Sequence, residues 1–151
     1  MHNSPVREGG FTLIELMIGL AVMAILASMS VPAMSGIFNR MRLTGVANEL
    51  AADLQYARTE AVRRRAGVVL QSTSDGYRIS SGTLELKAVT FASGLTFAES
   101  ATVDFDQLRA TSTPATLDLR NIAGTMRVRI NTVGRVSLCA PNGTLPGYTA
   151  C

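Results

Sequence analysis

Residues 11–31 read FTLIELMIGLAVMAILASMSV, an apolar run that ends at Pro32 and carries a single charge, Glu15. At about 1.5 Å rise per residue, a helix of this length is roughly 31 Å long, the thickness of a bilayer core. A secretory signal peptide is the competing reading, but its apolar region has about 7–15 residues and ends in a small-x-small cleavage site. This run is longer, and the break in composition precedes it, at Gly9-Gly10. A carboxylate at mid-bilayer costs about 2.5–3.5 kcal/mol on insertion scales, and less near an end of the span. Glu15 is therefore either a site residue or a group close enough to the interface to stay hydrated.

Beyond Pro32 the helical pattern continues and becomes amphipathic. Leu43, Val46, Ala47, Leu50, Leu54, Ala57 and Ala61 recur at three- and four-residue spacing. Glu60 and Arg64 form a favourable i, i+4 pair, while Arg42, Asn48, Asp53 and Arg58 are assigned to the watered face. Arg63-Arg64-Arg65 closes the helix and Gly67 supplies the expected stop. Three arginines in a row suggest a nucleic-acid patch. The plainer account is that cations at a helix C-terminus complement its dipole.

After residue 67 the period changes to two. Short runs rich in Val, Ile, Thr and Phe, separated by Gly, Ser, Asn and Pro, predict strands near 67–72, 76–81, 84–91, 95–98, 102–106, 115–120, 125–132 and 134–139. Their close spacing favours hairpins and an antiparallel sheet over βαβ units. The fold class is thus α+β: a long N-terminal helix, half membrane-embedded and half amphipathic, packed on a C-terminal antiparallel β-sheet domain.

At 151 residues the chain has room for one modest domain, which excludes an enzyme with separate cofactor and substrate lobes. Hydrophobic residues make up 47% and charged ones 17%, against about 25% charged in an ordinary soluble domain. The net charge of +3 hides an asymmetry. Residues 66–108 sum to −3, whereas 109–151 hold Arg109, Arg120, Arg127, Arg129 and Arg135 against Asp118 alone. The only histidine is His2 and the only cysteines are Cys139 and Cys151, so no metal-ligand spacing, Cys/His dyad or phosphate-cradling loop is present. No enzyme activity, metal or cofactor is expected.

The stretch Gly9-Gly10-Phe11-Thr12-Leu13-Ile14-Glu15 resembles the class III leader junction of type IV pilins and type II secretion pseudopilins. The resemblance implies that residues 1–10 are a leader and that a prepilin peptidase cuts between Gly10 and Phe11 and methylates the new amine. It further implies that 11–31 spans the bacterial inner membrane once, that 32–65 is the amphipathic half of the helix, and that 66–151 is a periplasmic sheet domain. It assigns Glu15 to assembly with other pilins, where the carboxylate neutralises the terminal amine of a neighbouring subunit, so that two costly charges become one pair. Pro32 matches the family's helix-disrupting proline.

Residues 54–64, Leu-Gln-Tyr-Ala-Arg-Thr-Glu-Ala-Val-Arg-Arg, resemble the late-helix stretch of FimT and FimU minor pilins and of the type II secretion H pseudopilin, placing the chain in the GspH/FimT family. In an oxidising periplasm Cys139 and Cys151 are expected to pair around the turn-rich segment between them, two free thiols being the alternative. Alternation along Met126–Ile130 and Arg135–Leu138 puts Arg127, Arg129 and Arg135 on one hairpin face. That face is either a sequence-independent DNA contact or a solvated surface that discourages edge pairing. Gly134-Arg135-Val136-Ser137 falls where DNA-binding FimT proteins carry Gly-Arg-x-Arg, with Ser137 replacing the second arginine. Three functions stay open: a structural minor pilin that primes or caps a type IV pilus, a DNA-binding minor pilin of natural transformation, and a type II secretion pseudopilin.

Overall fold

The computed structural model describes residues 11–143 and 145–151, and the side chains of all of these but 29–33. One helix, α1 (Leu13–Arg64), is followed by eight strands. These are β1 (Val68–Thr73), β2 (Gly76–Ser81), β3 (Leu84–Thr90), β4 (Thr96–Phe97), β5 (Thr102–Phe105), β6 (Ala115–Asn121), β7 (Gly124–Ile130) and β8 (Val136–Cys139). Eight strands stand where the alternation placed them. The chain divides into two units, one ending at Ile37 and one running from Phe38 to Cys151.

In the first unit the large side chains from Leu13 to Leu26 are exposed all around α1. A helix apolar on every side needs lipid or protein to cover it. Among the described residues no helix is long and apolar enough to cross a membrane. The described side chains of the run stop at Ser28, whereas the apolar sequence continues to Val31. Helical backbone runs through position 32; the disruption expected at Pro32 falls among the residues without described side chains, and the leader with Gly10 lies outside the described residues.

In the second unit the expected single sheet is two. Strand order is β3-β2-β1-β5 in one and β4-β6-β7-β8 in the other, with every neighbouring pair antiparallel. The sheets are stitched along both flanks by backbone hydrogen bonds: Phe97 N–H to Ser74 C=O at 3.1 Å on one side, Thr113 N–H to Asp104 C=O and Ser112 N–H to Thr132 C=O, each 3.0 Å, on the other. Alternation along each strand gives the inward faces but not which strands join, because pairing is decided by contacts distant in sequence.

The predicted helix stripe is the lid of the core. Leu43, Ala47, Leu50, Leu54, Ala57 and Ala61 are fully buried and share one cluster with Leu70, Ile79 and Val103 of one sheet and Leu117, Leu119, Met126 and Val128 of the other. Each large side chain so buried contributes about 1.5–3 kcal/mol. Two residues assigned to the watered face are not there. Asp53 is buried, accepting hydrogen bonds from the Tyr77 hydroxyl at 2.6 Å and Lys87 Nζ at 2.9 Å, and Arg58 is half-buried. A buried carboxylate is tolerable when hydrogen-bonded and paired. Burial, followed by the bond to Asp53, pushes the Tyr77 phenol above its ordinary value of 10.

Gly67 does not end the helix. The Ala66 N–H bonds the Ala61 carbonyl and the Arg65 N–H that of Val62, both at 3.3 Å, with Arg65 at a left-handed φ of 52°. This is a Schellman ending with an arginine where glycine is usual. Above it, Glu60 accepts from Arg63 Nη2 at 2.7 Å and Arg64 Nε at 2.5 Å, and the two guanidiniums hold its carboxyl down to about 2. The triple arginine is thus spent largely on the helix end itself.

Every buried side chain described lies at or beyond Leu43, and so does the disulfide, so a chain beginning at Phe38 carries the whole described core. In that fragment Arg65→Gly should raise stability by about 1 kcal/mol, since glycine takes the left-handed conformation without steric cost. Urea unfolding of both proteins is the measurement. An unchanged or lowered midpoint would show that Arg65 makes a compensating contact.

Candidate functional site

The helix N-terminus holds the first candidate site. Glu15 N–H donates to Thr12 Oγ1 at 3.3 Å, while Glu15 Oε2 accepts from the Thr12 N–H at 3.4 Å and the Thr12 hydroxyl at 3.3 Å. This is a capping box, in which residue and backbone satisfy each other's orphan groups at the start of the helix. The carboxylate also complements the positive end of the helix dipole. The resemblance points to Glu15 for assembly, and the Thr12-x-x-Glu15 spacing that marks the local role is present in the same residues. Phe11 stands beside it, 86% exposed.

The second is the C-terminal hairpin. Register pairs Asp118 with Arg127, Thr116 with Arg129 and Ser137 with Arg129. Met126, Val128 and Ile130 are buried, so Arg127 and Arg129 point to the other face as alternation required. The three arginines are not equivalent, however. Arg127 is half-buried and gives Asp118 a bidentate pair, Nε to Oδ1 and Nη2 to Oδ2, both 2.7 Å. A fork of this kind satisfies both groups and removes their net charge from the face. The neutralising acid lies on β6, opposite Arg127, and only the register reveals it. Arg129 and Arg135 are exposed and carry no ion pair among the described residues; with Asn131 and Ser137 they line a shallow notch. Arg135 precedes β8 instead of belonging to it.

The connection that holds Arg135 is built around Gly134. Its N–H bonds the Asn131 carbonyl at 2.9 Å, and the Asn131 side chain accepts from the Arg135 N–H at 2.8 Å. Gly134 has a φ of 74°, and a Cβ there would meet Arg58 Nε at 2.9 Å and the Ala110 carbonyl oxygen at 3.2 Å. Arg58 Nε donates to that same carbonyl at 3.0 Å, and Gln55 Nε2 reaches the Gly134 carbonyl at 3.4 Å. Two polar positions of the 54–64 stretch therefore anchor the hairpin and its neighbouring turn on the helix. Nothing in the helical periodicity discloses this.

Cys139 and Cys151 form a disulfide with their Cα atoms 5.1 Å apart. It closes a C-terminal loop whose backbone returns to β8 through Ala140 N–H to Thr149 C=O at 2.9 Å. Closing a loop this short contributes about 3 kcal/mol in the chain-entropy model. Among the described residues no group of His, Cys, Asp and Glu could hold a metal ion.

An apolar N-terminal helix led by a Thr-Glu cap, its second half laid on antiparallel sheets and the C-terminus fastened by a disulfide, defines a pilin-like subunit. The prokaryotic N-terminal methylation motif matches residues 6–31 and the family described as type II transport protein GspH matches residues 46–134. The chain belongs to this GspH family of pilin-like proteins. The type IV minor pilin FimU of Pseudomonas aeruginosa PAO1 superposes in two crystal structures at 27% identity. Their TM-scores are 0.55 and 0.52, covering 73% and 70% of this chain and 96% and 98% of FimU. The pilin-like protein PilA1 of Thermus thermophilus is 39% identical over 67 residues, which are 44% of this chain and 42% of PilA1. The match thus spans less than half the length of that curated relative.

Gly134→Ala should cost about 2–3 kcal/mol, combining a left-handed backbone with a crowded Cβ. If contact with Arg58 supplies part of that cost, the substitution should cost less in an Arg58→Ala background. Denaturant unfolding of the four proteins in the cycle tests this, and additive effects would exclude the contact.

Proposed function

We propose that this chain is a minor pilin, a structural subunit that helps prime or cap a type IV pilus and has no enzymatic role. The observation that carries the reading is the methylation motif at 6–31 joined to a domain that superposes on FimU. In this reading a prepilin peptidase removes residues 1–10 and methylates Phe11. The run 11–31 anchors the subunit in the inner membrane with residues 66–151 in the periplasm, and other pilins are its partners. The GspH description keeps a secretion-system pseudopilin as the rival assignment; the FimU likeness, over nearly the whole of that chain, favours the pilus.

Intact-mass analysis of membrane-extracted protein should give a chain beginning at methylated Phe11. Glu15→Ala and Glu15→Gln should both fail to enter a fibre in a complementation assay. Glutamine can serve in a capping box but carries no charge. Retention of Met1–Gly10 in cells with active peptidase would refute the reading, and normal incorporation of Glu15→Gln would reduce Glu15 to a helix cap.

A second reading, DNA binding during natural transformation, draws on the unpaired guanidiniums of Arg129 and Arg135. With Arg127 neutralised by Asp118, two phosphate contacts remain of the three that the sequence offered. Log K for any duplex should then fall with log salt at a slope of about −2. Arg129→Gln should flatten it by about one unit. A salt titration with two unrelated duplexes measures this; absence of binding at low salt leaves the structural role alone.

A further inference from the structure

Around the C-terminal end of α1 lies a surface that shares only Arg135 with the readings above. The turn following β5 and the turn between β7 and β8 meet there, since Arg58 bonds the Ala110 carbonyl and Gly134 lies against both. Each turn displays one apolar side chain, Leu108 at 83% exposure and Val133 at 59%. Single exposed apolar residues need no explanation. Leu84 and Ile122 are exposed as well, on other hairpins, but Leu108 and Val133 stand on adjoining turns and form a patch.

The turns are rigid. Asp106 Oδ1 accepts the N–H groups of both Leu108 and Arg109, at 2.9 and 2.8 Å, and the Asp106 N–H closes the loop on the Thr111 carbonyl at 2.9 Å. Ala110 leaves the turn at a left-handed φ of 52°, a conformation costly for alanine that the surrounding bonds enforce. Val133 is fixed by the Asn131 bonds to Gly134 and Arg135. Little ordering entropy remains to be lost when either tip is covered.

The electrostatics select what covers them. Arg109 and Arg135 flank the two tips, and Arg65 ends the helix beside them, where a Cβ on Gly67 would lie 3.9 Å from the Phe105 carbonyl at the base of the Asp106 turn. All three are exposed, and their guanidiniums have no ion pair among the described residues. Asp104 and Asp106 lie at the base of the same turn, and the Arg109 and Leu108 N–H groups, with the Arg109 charge, hold the Asp106 carboxyl below its ordinary range, so the three guanidiniums outnumber two acids there. We propose that this end of the domain is a docking surface for an anionic phospholipid bilayer, Leu108 and Val133 entering the interface while Arg65, Arg109 and Arg135 contact headgroup phosphates. Projecting apolar tips suit a fluid interface, which needs no matching cavity, and the ring of cations requires negative charge in it. The inference does not depend on the pilin reading, because every residue in it belongs to the unit 38–151.

The fragment from Phe38 to Cys151 carries the whole described core and none of residues 11–31, so its vesicle binding reports this surface and not the apolar helix. Flotation with vesicles of phosphatidylcholine, with and without phosphatidylglycerol, is the experiment. Binding should require phosphatidylglycerol and weaken as salt rises. Leu108→Asp should weaken it at least tenfold, and Arg109→Gln about fivefold, the weight of one cation at an anionic surface. Leu108→Ser, a neutral change at an exposed turn, should reproduce most of the Leu108→Asp loss and so separate lost insertion from added charge. Arg129→Gln, away from the tips, should leave vesicle binding intact. Absence of binding to anionic vesicles, or binding that Leu108→Asp and Leu108→Ser leave unchanged, overturns the proposal. So does binding to duplex DNA alone, with the vesicles ignored.

Discussion

One stripe on one helix closes two sheets. Leu43, Ala47, Leu50, Leu54, Ala57 and Ala61 meet the inner faces of both sheets in a single core, and three of the six are alanines, which lets the helix backbone lie close to the strands. Polar residues beside the stripe then fix its rotation. Asp53 ties it to β2 and β3 through Tyr77 and Lys87, while Gln55 and Arg58 tie it to the turn before β8 and to Ala110. The β6–β7 tip adds the Asn121 side-chain amide, which donates to the Asn39 carbonyl at 2.7 Å. Apolar burial supplies most of the free energy and leaves the rotation of the helix loosely specified. The hydrogen-bonded groups have directions, and a buried one left unpaired costs about 1–3 kcal/mol, so they set the angle.

How much of this the sequence disclosed depends on the range of the signal. The stripe, the eight strands and the leader junction are local patterns, readable in windows of a dozen residues. What escaped was decided across longer separations. Asp53 and Arg58 looked like surface residues because periodicity treats any charge as a vote for water; each is placed by a partner far along the chain, Tyr77 and Lys87 for one, Ala110 for the other. Arg127 looked like one of three equal cations because its neutralising acid sits on the strand opposite. The helix stop was assigned to Gly67 on composition. The bonds from Arg65 and Ala66 end it two residues earlier, since backbone satisfaction outweighs the preference for glycine.

The division of the basic residues follows from the same geometry. Arg63 and Arg64 answer Glu60, and Arg127 answers Asp118. Of the exposed arginines without an ion pair, Arg129 lies in the notch beside β8, Arg65 and Arg109 lie at the turns around the helix end, and Arg135 belongs to both places. A count of charges over residues 109–151 merges these into one basic segment. The fold spreads them, so two anionic ligands of different kinds can be distinguished by Arg129, which only the notch uses, and Arg109, which only the turns use.

Glu15 shows how one residue can serve two tasks without conflict. In the single chain both bonds from Thr12 fall on Oε2, and Oε1 has no partner among the described residues. An ionised carboxylate offers about four acceptor sites, so capping consumes only part of its capacity. On the proposed assembly role, a neighbour's terminal amine can bind the remaining oxygen while the cap stays closed. Capping in turn fixes the side chain before the partner arrives, lowering the entropy lost on pairing. A bare carboxylate four residues into the apolar run would be a liability to the subunit waiting for assembly. Thr12 reduces that cost, and the Thr-x-x-Glu spacing is what lets it do so.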